Sequence, residues 1–98
     1  MKTNMITLPK DISNKIYREV KELLDNKSDF EEVLDNKLIN ELFSRRVALH
    51  VEQNKLIDLE PNEFVIVKCL VEDGVLDVSV GRIKKNVNGE SKLTYGII

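Results

Sequence analysis

The residues best suited to chemistry are the single histidine, His50, and the single cysteine, Cys69. A catalytic thiol needs a neighbouring base and a lowered pKa, and a metal site needs several ligands at suitable spacing. Near His50, the sequence has no further residues at the spacing of metal ligands. Cys69 lies in a segment where valines alternate with other residues, which is typical of a strand with one face in the core. The sequence also lacks a glycine-rich phosphate loop and a nucleophile elbow. We therefore predict no catalytic residue, no metal site, no cofactor and no enzymatic activity.

The most polarised part of the chain is residues 19–44, which carry eight acidic residues and three lysines. Residues 1–18 carry four cations and one aspartate, and residues 45–98 carry eight charges of each sign. An acidic run is either a solvated helix face or a surface that binds a basic partner, such as the nucleic-acid channel of another protein. Calcium binding would need a loop with alternating oxygen ligands, which is absent from the sequence. The candidate partner-binding residues are Asp29, Glu31, Glu32 and Asp35.

Helices are predicted to position these acids. Apolar residues recur at helical spacing over 11–25, namely at Ile12, Ile16, Val20, Leu23 and Leu24. Asp11 or Ser13 is the expected N-cap of this helix. Ser28 and Glu31 form a capping box, which predicts a second helix at 29–35.

A third helix is predicted at 37–45, after a break at Asn36. Its apolar stripe is rotated by more than a third of a turn from that of the second helix, so one straight helix cannot bury both. The stripe consists of Leu38, Ile39, Leu42 and Phe43. Arg46 would fall inside this stripe, so the helix is expected to end before it. The alternation over 47–52 then favours an extra strand, although the same residues could also prolong the helix.

Two Asx-Gly dipeptides, Asp73-Gly74 and Asn88-Gly89, lie between alternating β-forming residues and predict two-residue hairpin turns. They give three strands at about 63–71, 75–86 and 91–98, which are expected to form an antiparallel meander. The predicted fold class is α+β, with the N-terminal helices packed on this C-terminal sheet.

The two turns also predict a register. Cys69 lies opposite Val78, and Val80 lies between Val67 and Ile97, so that all their side chains share one face. This face collects the apolar residues that the helices are expected to cover. A slip of one residue in either hairpin would turn them to the opposite side.

The outer face of the sheet carries a second group of candidate residues. In the predicted register Ile66, Gly81 and Gly96 form one row, with Phe64 and Ile83 beside it. Glycine inside a strand often marks a bend or the close approach of another backbone. Either another part of the chain covers this patch, or a partner or a second copy docks on it.

Length and composition limit the class of protein. We expect one domain, 1–98, because 98 residues suffice for a single core. An apolar content of 42% with 33% charged residues is typical of a soluble globular chain, and a net charge of -2 argues against general attraction to nucleic acid or membrane. No segment is long enough to span a bilayer, so a cytoplasmic location is the default expectation. Exposed sheet edges and an apolar C-terminus favour a homodimer slightly over a monomer.

The segment Met5-Ile6-Thr7-Leu8-Pro9-Lys10-Asp11, which runs into a helix, resembles the opening of ribbon-helix-helix repressors. The resemblance implies a strand pair that enters the major groove of DNA, with Lys2, Asn4 and Thr7 as the residues that reach it. The chain departs from the family pattern after the first helix, where the acidic region would repel phosphate.

Two functional hypotheses follow from the sequence. The first is a small non-enzymatic protein-binding module that acts as a regulator or inhibitor, or as a subunit of a larger assembly, by analogy with the small inhibitors that phages and other mobile elements encode. The alternative is a DNA-binding transcriptional regulator that uses the N-terminal strand-helix segment.

Overall fold

The computed structural model describes residues 5–23, 29–84 and 95–97. Within them, three helices are followed by the long strands of a four-stranded sheet, and the predicted α+β class is confirmed. The elements in chain order are β1 (Ile6–Thr7), α1 (Lys10–Leu23), α2 (Phe30–Asp35), α3 (Lys37–Gln53), β2 (Glu63–Glu72), β3 (Val75–Lys84) and β4 (Tyr95–Ile97).

Helix starts differ in detail from the prediction. Because α1 begins at Lys10, neither Asp11 nor Ser13 is its N-cap, and the side chain of Ser13 is buried inside the helix. The N-cap of α2 is Asp29, whose Oδ1 accepts the N–H of Glu32 at 3.0 Å. Ser28, which the predicted capping box used, lies outside the described residues.

The predicted break at Asn36 is confirmed, and the same residue begins α3. Its Oδ1 accepts the N–H groups of Leu38 at 3.0 Å and of Ile39 at 3.3 Å. Extended backbone at Asn36, with φ -74° and ψ 116°, separates α2 from α3 and lets the two helices turn different faces to the core.

The predicted end of α3 at residue 45 is wrong, and so is the extra strand at 47–52, because α3 continues to Gln53. Its buried residues follow one helical stripe, namely Ile39, Phe43, Ser44, Val47, Ala48 and Val51. Arg46 lies at the margin of that stripe and not within it, and its Nη1 is 3.5 Å from Oε2 of Glu19 on α1. Leu38 and Leu42, which were expected to be buried, are exposed. The prediction failed because it placed Leu38 and Leu42 in the buried stripe, whereas the buried face of the helix continues through Val47 and Ala48.

The first hairpin is confirmed residue by residue. Asp73 and Gly74 form the turn with φ angles of 51° and 72°, as a two-residue loop of the Asx-Gly kind requires. Cys69 pairs with Val78 and Val67 pairs with Val80. The second turn, Asn88-Gly89, lies outside the described residues.

The last strand is not paired as predicted. Strand β4 is parallel to β2 and was expected to be antiparallel to β3. The position beside β3 is taken by β1, where Ile6 pairs with Val80, and the sheet order is β1-β3-β2-β4. Ile97 pairs with Val67 instead. The predicted sheet did not include the N-terminal strand β1. In the structure β1 lies beside β3, in the position that was predicted for the C-terminal strand.

The hydrophobic core lies between one face of this sheet and the helices α1 and α3. The buried residues on this face of the sheet are among those that the register predicted, with Val65, Val67, Leu76, Val78 and Val80 at its centre. The helices contribute Ile16, Tyr17 and Val20 from α1, Val33 from α2 and the buried stripe of α3. Which residues lie in the core therefore follows from the two-residue period of the strands and the 3.6-residue period of the helices.

Candidate functional site

Neither His50 nor Cys69 lies in a reactive setting. Cys69 is half-buried, and burial raises the pKa of its thiol to about 11, while a hydrogen bond with Ser44 lowers it in part. A thiol with a raised pKa stays protonated and is a poor nucleophile. His50 lies in the last turn of α3, where its Nδ1 is 3.4 Å from the side-chain nitrogen of Asn54. In the part of the chain that the structure describes, no group of three or more His, Cys, Asp or Glu residues could hold a metal ion.

The four acidic candidates lie together on the short helix α2. Asp29 uses its carboxylate to cap the helix, and Glu31, Glu32 and Asp35 are exposed. Carboxylates are favoured in the first turn of a helix, where the free N–H groups give a positive field. The same three exposed side chains leave a compact negative surface toward solvent, which we call the acidic surface of α2.

A cavity of about 520 Å³ adjoins the acidic surface of α2. It lies where the end of α1, the start of α2 and the β2–β3 turn meet. Its lining residues are Tyr17, Lys21, Asp29, Phe30, Glu31, Val71, Asp73 and Gly74. A volume of this size suits a large side chain or a short peptide segment. A groove that shares Tyr17, Lys21 and Phe30 continues along α1 past Arg18, so the α1 wall is basic and the α2 wall is acidic.

Tyr17 forms the floor of this cavity. Its ring centroid is 4.2 Å from that of Phe30 and 6.1 Å from that of Phe43. The Nζ of Lys21 is 5.8 Å from the centroid of the Tyr17 ring, within the range of a cation–π contact. Tyr17 is only 4% exposed, and its hydroxyl has no hydrogen-bond partner among the described residues. Burial, and to a smaller degree the charge of Asp29, raises the pKa of Tyr17.

Sequence reasoning did not single out Tyr17 or Phe30. The available signal was composition: the chain has only five aromatic residues, three Phe and two Tyr, so each is a candidate for a specific contact. Phe30 follows the capping residue Asp29 directly, which places an aromatic ring beside the carboxylates. Which aromatics would meet could be decided only by the packing of α1 against α2.

The candidate residues on the outer face of the sheet form the predicted row, in a different strand order. Ile66 pairs with Gly81 on one side and with Gly96 on the other. Phe64, Ile66 and Gly81 are buried and Ile83 is half-buried, so this end of the outer face is covered within the chain. The proposed contact with a second copy or a partner stays a prediction.

Exposed leucines lie on α3, opposite its buried stripe. Leu38 is 62% exposed, Leu42 37% and Leu49 39%. They follow one line along the helix, because positions separated by four and seven residues recur on the same face. We call this line the leucine seam of α3. It was missed because the sequence interpretation ended the helix at residue 45.

The segment that resembles ribbon-helix-helix repressors begins the sheet of this chain. Ile6 and Thr7 pair with Val80 and Ser79 of β3, and the N–H of Leu8 donates to the carbonyl of Val78 at 2.8 Å. Lys2 and Asn4, the candidates to reach DNA, lie outside the described residues. The DNA-binding hypothesis therefore stays a prediction.

Comparison of the chain with protein-family models, with curated proteins and with solved structures gave no match. Among the described helices, none combines the length and apolar composition that crossing a membrane requires.

Proposed function

We propose that this protein is a non-enzymatic protein-binding module, which binds a basic surface of another protein through the acidic surface of α2 and the adjoining cavity. Such a module acts as a regulator or inhibitor of its partner, or as a subunit of an assembly. The observation that carries the proposal is the cavity itself, an aromatic floor of Tyr17 and Phe30 beside three carboxylates, those of Asp29, Glu31 and Asp73.

The α2 side of this site, with Phe30, Asp29 and Glu31, favours a cationic side chain, whereas the face of the Tyr17 ring already has Lys21 over it. Arginine and lysine are attracted both by aromatic faces and by carboxylates, and arginine can form paired hydrogen bonds with a carboxylate. The hydroxyl of Tyr17, which has no hydrogen-bond partner among the described residues, adds a polar group whose burial costs free energy in the free protein. A partner that brings a donor or an acceptor to it would recover that cost.

Charge reversal on the acidic surface tests the proposal. The variant Glu31→Lys/Glu32→Lys/Asp35→Lys removes the negative surface without touching the core, since all three residues are exposed. The matched control is Glu52→Lys/Asp58→Lys/Glu60→Lys, which changes the net charge equally at three exposed acids elsewhere. Each purified variant and the wild type serve as bait in an extract of the source cells, and captured proteins are identified by mass spectrometry.

We expect the wild type and the control to capture the same basic protein, and the α2 variant to lose it. A captured set that is identical for all three baits would contradict the proposal. Capture should also fall as salt rises, because exposed charges are screened beyond a few ångströms at high ionic strength.

A further inference from the structure

Strand β2 is paired on both sides only in its first half. Strand β3 pairs with it from Glu63 to Glu72, whereas β4 pairs with it only from Val65 to Val67. Burial changes at the same point, since residues 64–67 are buried and residues 68–72 are half-buried or exposed. In the part of the chain that the structure describes, the β4 side of residues 68–72 is therefore an unpaired sheet edge, which we call the open edge of β2.

The register of the first hairpin identifies the backbone groups that face this edge. The two residues that close the Asp73-Gly74 loop form a pair that exchanges two hydrogen bonds, and such pairs alternate along an antiparallel ladder. Lys68 and Leu70 therefore bond to β3. The N–H and C=O groups of Cys69 and Val71 point away from β3, toward the open edge. Among the described residues, these four groups have no hydrogen-bond partner.

The open edge of β2 borders the cavity beside α2. Side chains alternate between the two faces of a strand, and that of Val71 packs on the core side of the sheet and lines this cavity. A strand added to the open edge would place one side chain on the same face as Val71, about 5 Å from it. Phe30, Asp29 and Glu31 line the same cavity, so they are the residues that such a side chain would meet.

The charges around the cavity favour a cationic side chain at this position. The lining holds three carboxylates, those of Asp29, Glu31 and Asp73, and one amine, that of Lys21. A second copy of the chain, added antiparallel by its own open edge, would bring only a cysteine and a valine to this face and no cation to the carboxylates. A segment with arginine or lysine at every second position brings cations to the cavity and main-chain hydrogen bonds to the edge.

We propose that the basic partner binds by strand addition, in which an extended segment with arginine or lysine at alternate positions pairs with the open edge of β2 and inserts one cationic side chain into the cavity. This inference rests on the proposed function and specifies the form of the partner. Hydrogen bonds to the backbone of Cys69 and Val71 supply affinity, and the carboxylates of the cavity supply the preference for a cation.

Amide hydrogen exchange followed by NMR tests the proposal with a defined probe, the peptide acetyl-Val-Arg-Val-Arg-Val-amide. In the free protein we expect the amide protons of Cys69 and Val71 to exchange faster than those of Lys68 and Leu70, which bond to β3. The peptide at about ten times its Kd should slow exchange at Cys69 and Val71 by about tenfold, because bound molecules are protected. Exchange at Cys69 and Val71 that is already as slow as at Lys68 and Leu70 in dilute free protein would show that the edge is closed, and would overturn the proposal.

Control peptides and variants separate the edge from the cavity. A peptide with glutamate in place of both arginines, and an arginine peptide with N-methylated backbone nitrogens, should not slow exchange at Cys69 and Val71. The variant Glu31→Gln/Asp73→Asn should raise the Kd of the arginine peptide by about tenfold, because it removes two of the three carboxylates. The matched control Glu52→Gln/Asp58→Asn changes two exposed acids elsewhere and should leave that Kd unchanged. A glutamate peptide that binds as tightly as the arginine peptide would overturn the cationic preference.

Failure of strand addition is distinguishable from failure of the proposed function. If the arginine peptide shifts the NMR signal of Glu31 while Cys69 and Val71 exchange as before, or if its N-methylated form binds equally well, strand addition is overturned and the cationic site stands. Absence of peptide binding at about 5 mM would also overturn strand addition, whereas capture by the charge-reversed baits decides the proposed function by itself. Slower exchange at Cys69 and Val71 that follows protein concentration without peptide would identify a second copy as the occupant and overturn the choice of a basic partner.

Discussion

The hydroxyl of Tyr17 is a polar group that the fold buries without giving it a described partner. Buried polar groups are usually hydrogen-bonded, and exceptions often mark places where function takes priority over stability. The ring itself is well held, between Phe30 and Phe43 and beneath Lys21. The packed ring of Tyr17 therefore stabilises the fold, whereas burial of its hydroxyl costs free energy.

Removing the hydroxyl oxygen of Tyr17 should change stability and partner binding in opposite directions. We expect Tyr17→Phe to raise the free energy of unfolding by about 1 kcal/mol, because it deletes a buried hydroxyl that has no partner among the described residues and keeps the ring. The same variant should weaken binding of the partner captured by the wild type. Urea unfolding followed by circular dichroism gives the first quantity and calorimetric titration the second. A loss of stability would mean that the hydroxyl is satisfied in the folded protein.

Cys69 predicts a dependence of stability on alkaline pH. Its thiol has a pKa of about 11 in the folded chain against an ordinary value of 9.0, so folding favours the protonated form. The contribution to stability is complete below pH 9 and is lost as the pH rises from 9 to 11. We expect the wild type to lose about 2 kcal/mol more than Cys69→Ala over this interval, measured by urea unfolding at several pH values. Equal losses in the two proteins would show that the thiol is not responsible.

At the scale of elements, α3 shows what the sequence pattern could and could not decide. Residues 47, 49 and 51 are all apolar, and this alternation suits a strand as well as a helix. The deciding factor is the run of buried residues from Ile39 to Val51, which is continuous only when the helix does not stop at Arg46. Long side chains such as arginine can lie at the edge of a buried stripe and reach solvent, so they do not end a helix.

Two alanine substitutions distinguish the helix from the strand. In the helix Val47 is fully buried and Leu49 is exposed, whereas a strand would turn both to the same face. We expect Val47→Ala to cost about 2 kcal/mol of unfolding free energy and Leu49→Ala less than about 1 kcal/mol. Similar costs at the two positions, measured by chemical unfolding, would favour the strand.

Some features of the sheet depend on residues close in sequence and could be predicted, whereas others depend on contacts between distant segments. The turn at Asp73-Gly74 and the register of the first hairpin follow from residues close in sequence, and both could be predicted. Which strand lies on the free edge of β3 depends on a choice between Ile6 and Ile97 as the neighbour of Val80, and both are isoleucines in strand-forming segments. The acidic residues of the site could likewise be read from the sequence, but its cavity could not, because Tyr17, Phe30 and Gly74 come from three separate elements.

In the molecule as a whole, the acidic surface of α2 and its cavity lie where α1, α2 and the β2–β3 turn meet. Phe64 and Ile66 are buried on the outer face of the sheet, whereas Asp29, Glu31, Glu32 and Asp35 are exposed. The candidate residues that a partner could reach directly are therefore those of α2 and its N-cap.

Photo-crosslinking inside the source cells shows whether a basic protein binds at the acidic surface of α2. A benzophenone amino acid replaces Asp35, on the acidic surface of α2, in one variant, and Asp58, an exposed acid in the connection between α3 and β2, in the other. After irradiation, we expect one basic protein crosslinked through position 35 and little or none through position 58. Equal crosslinking through both positions, or crosslinking of the partner through position 58 alone, would contradict the proposed function.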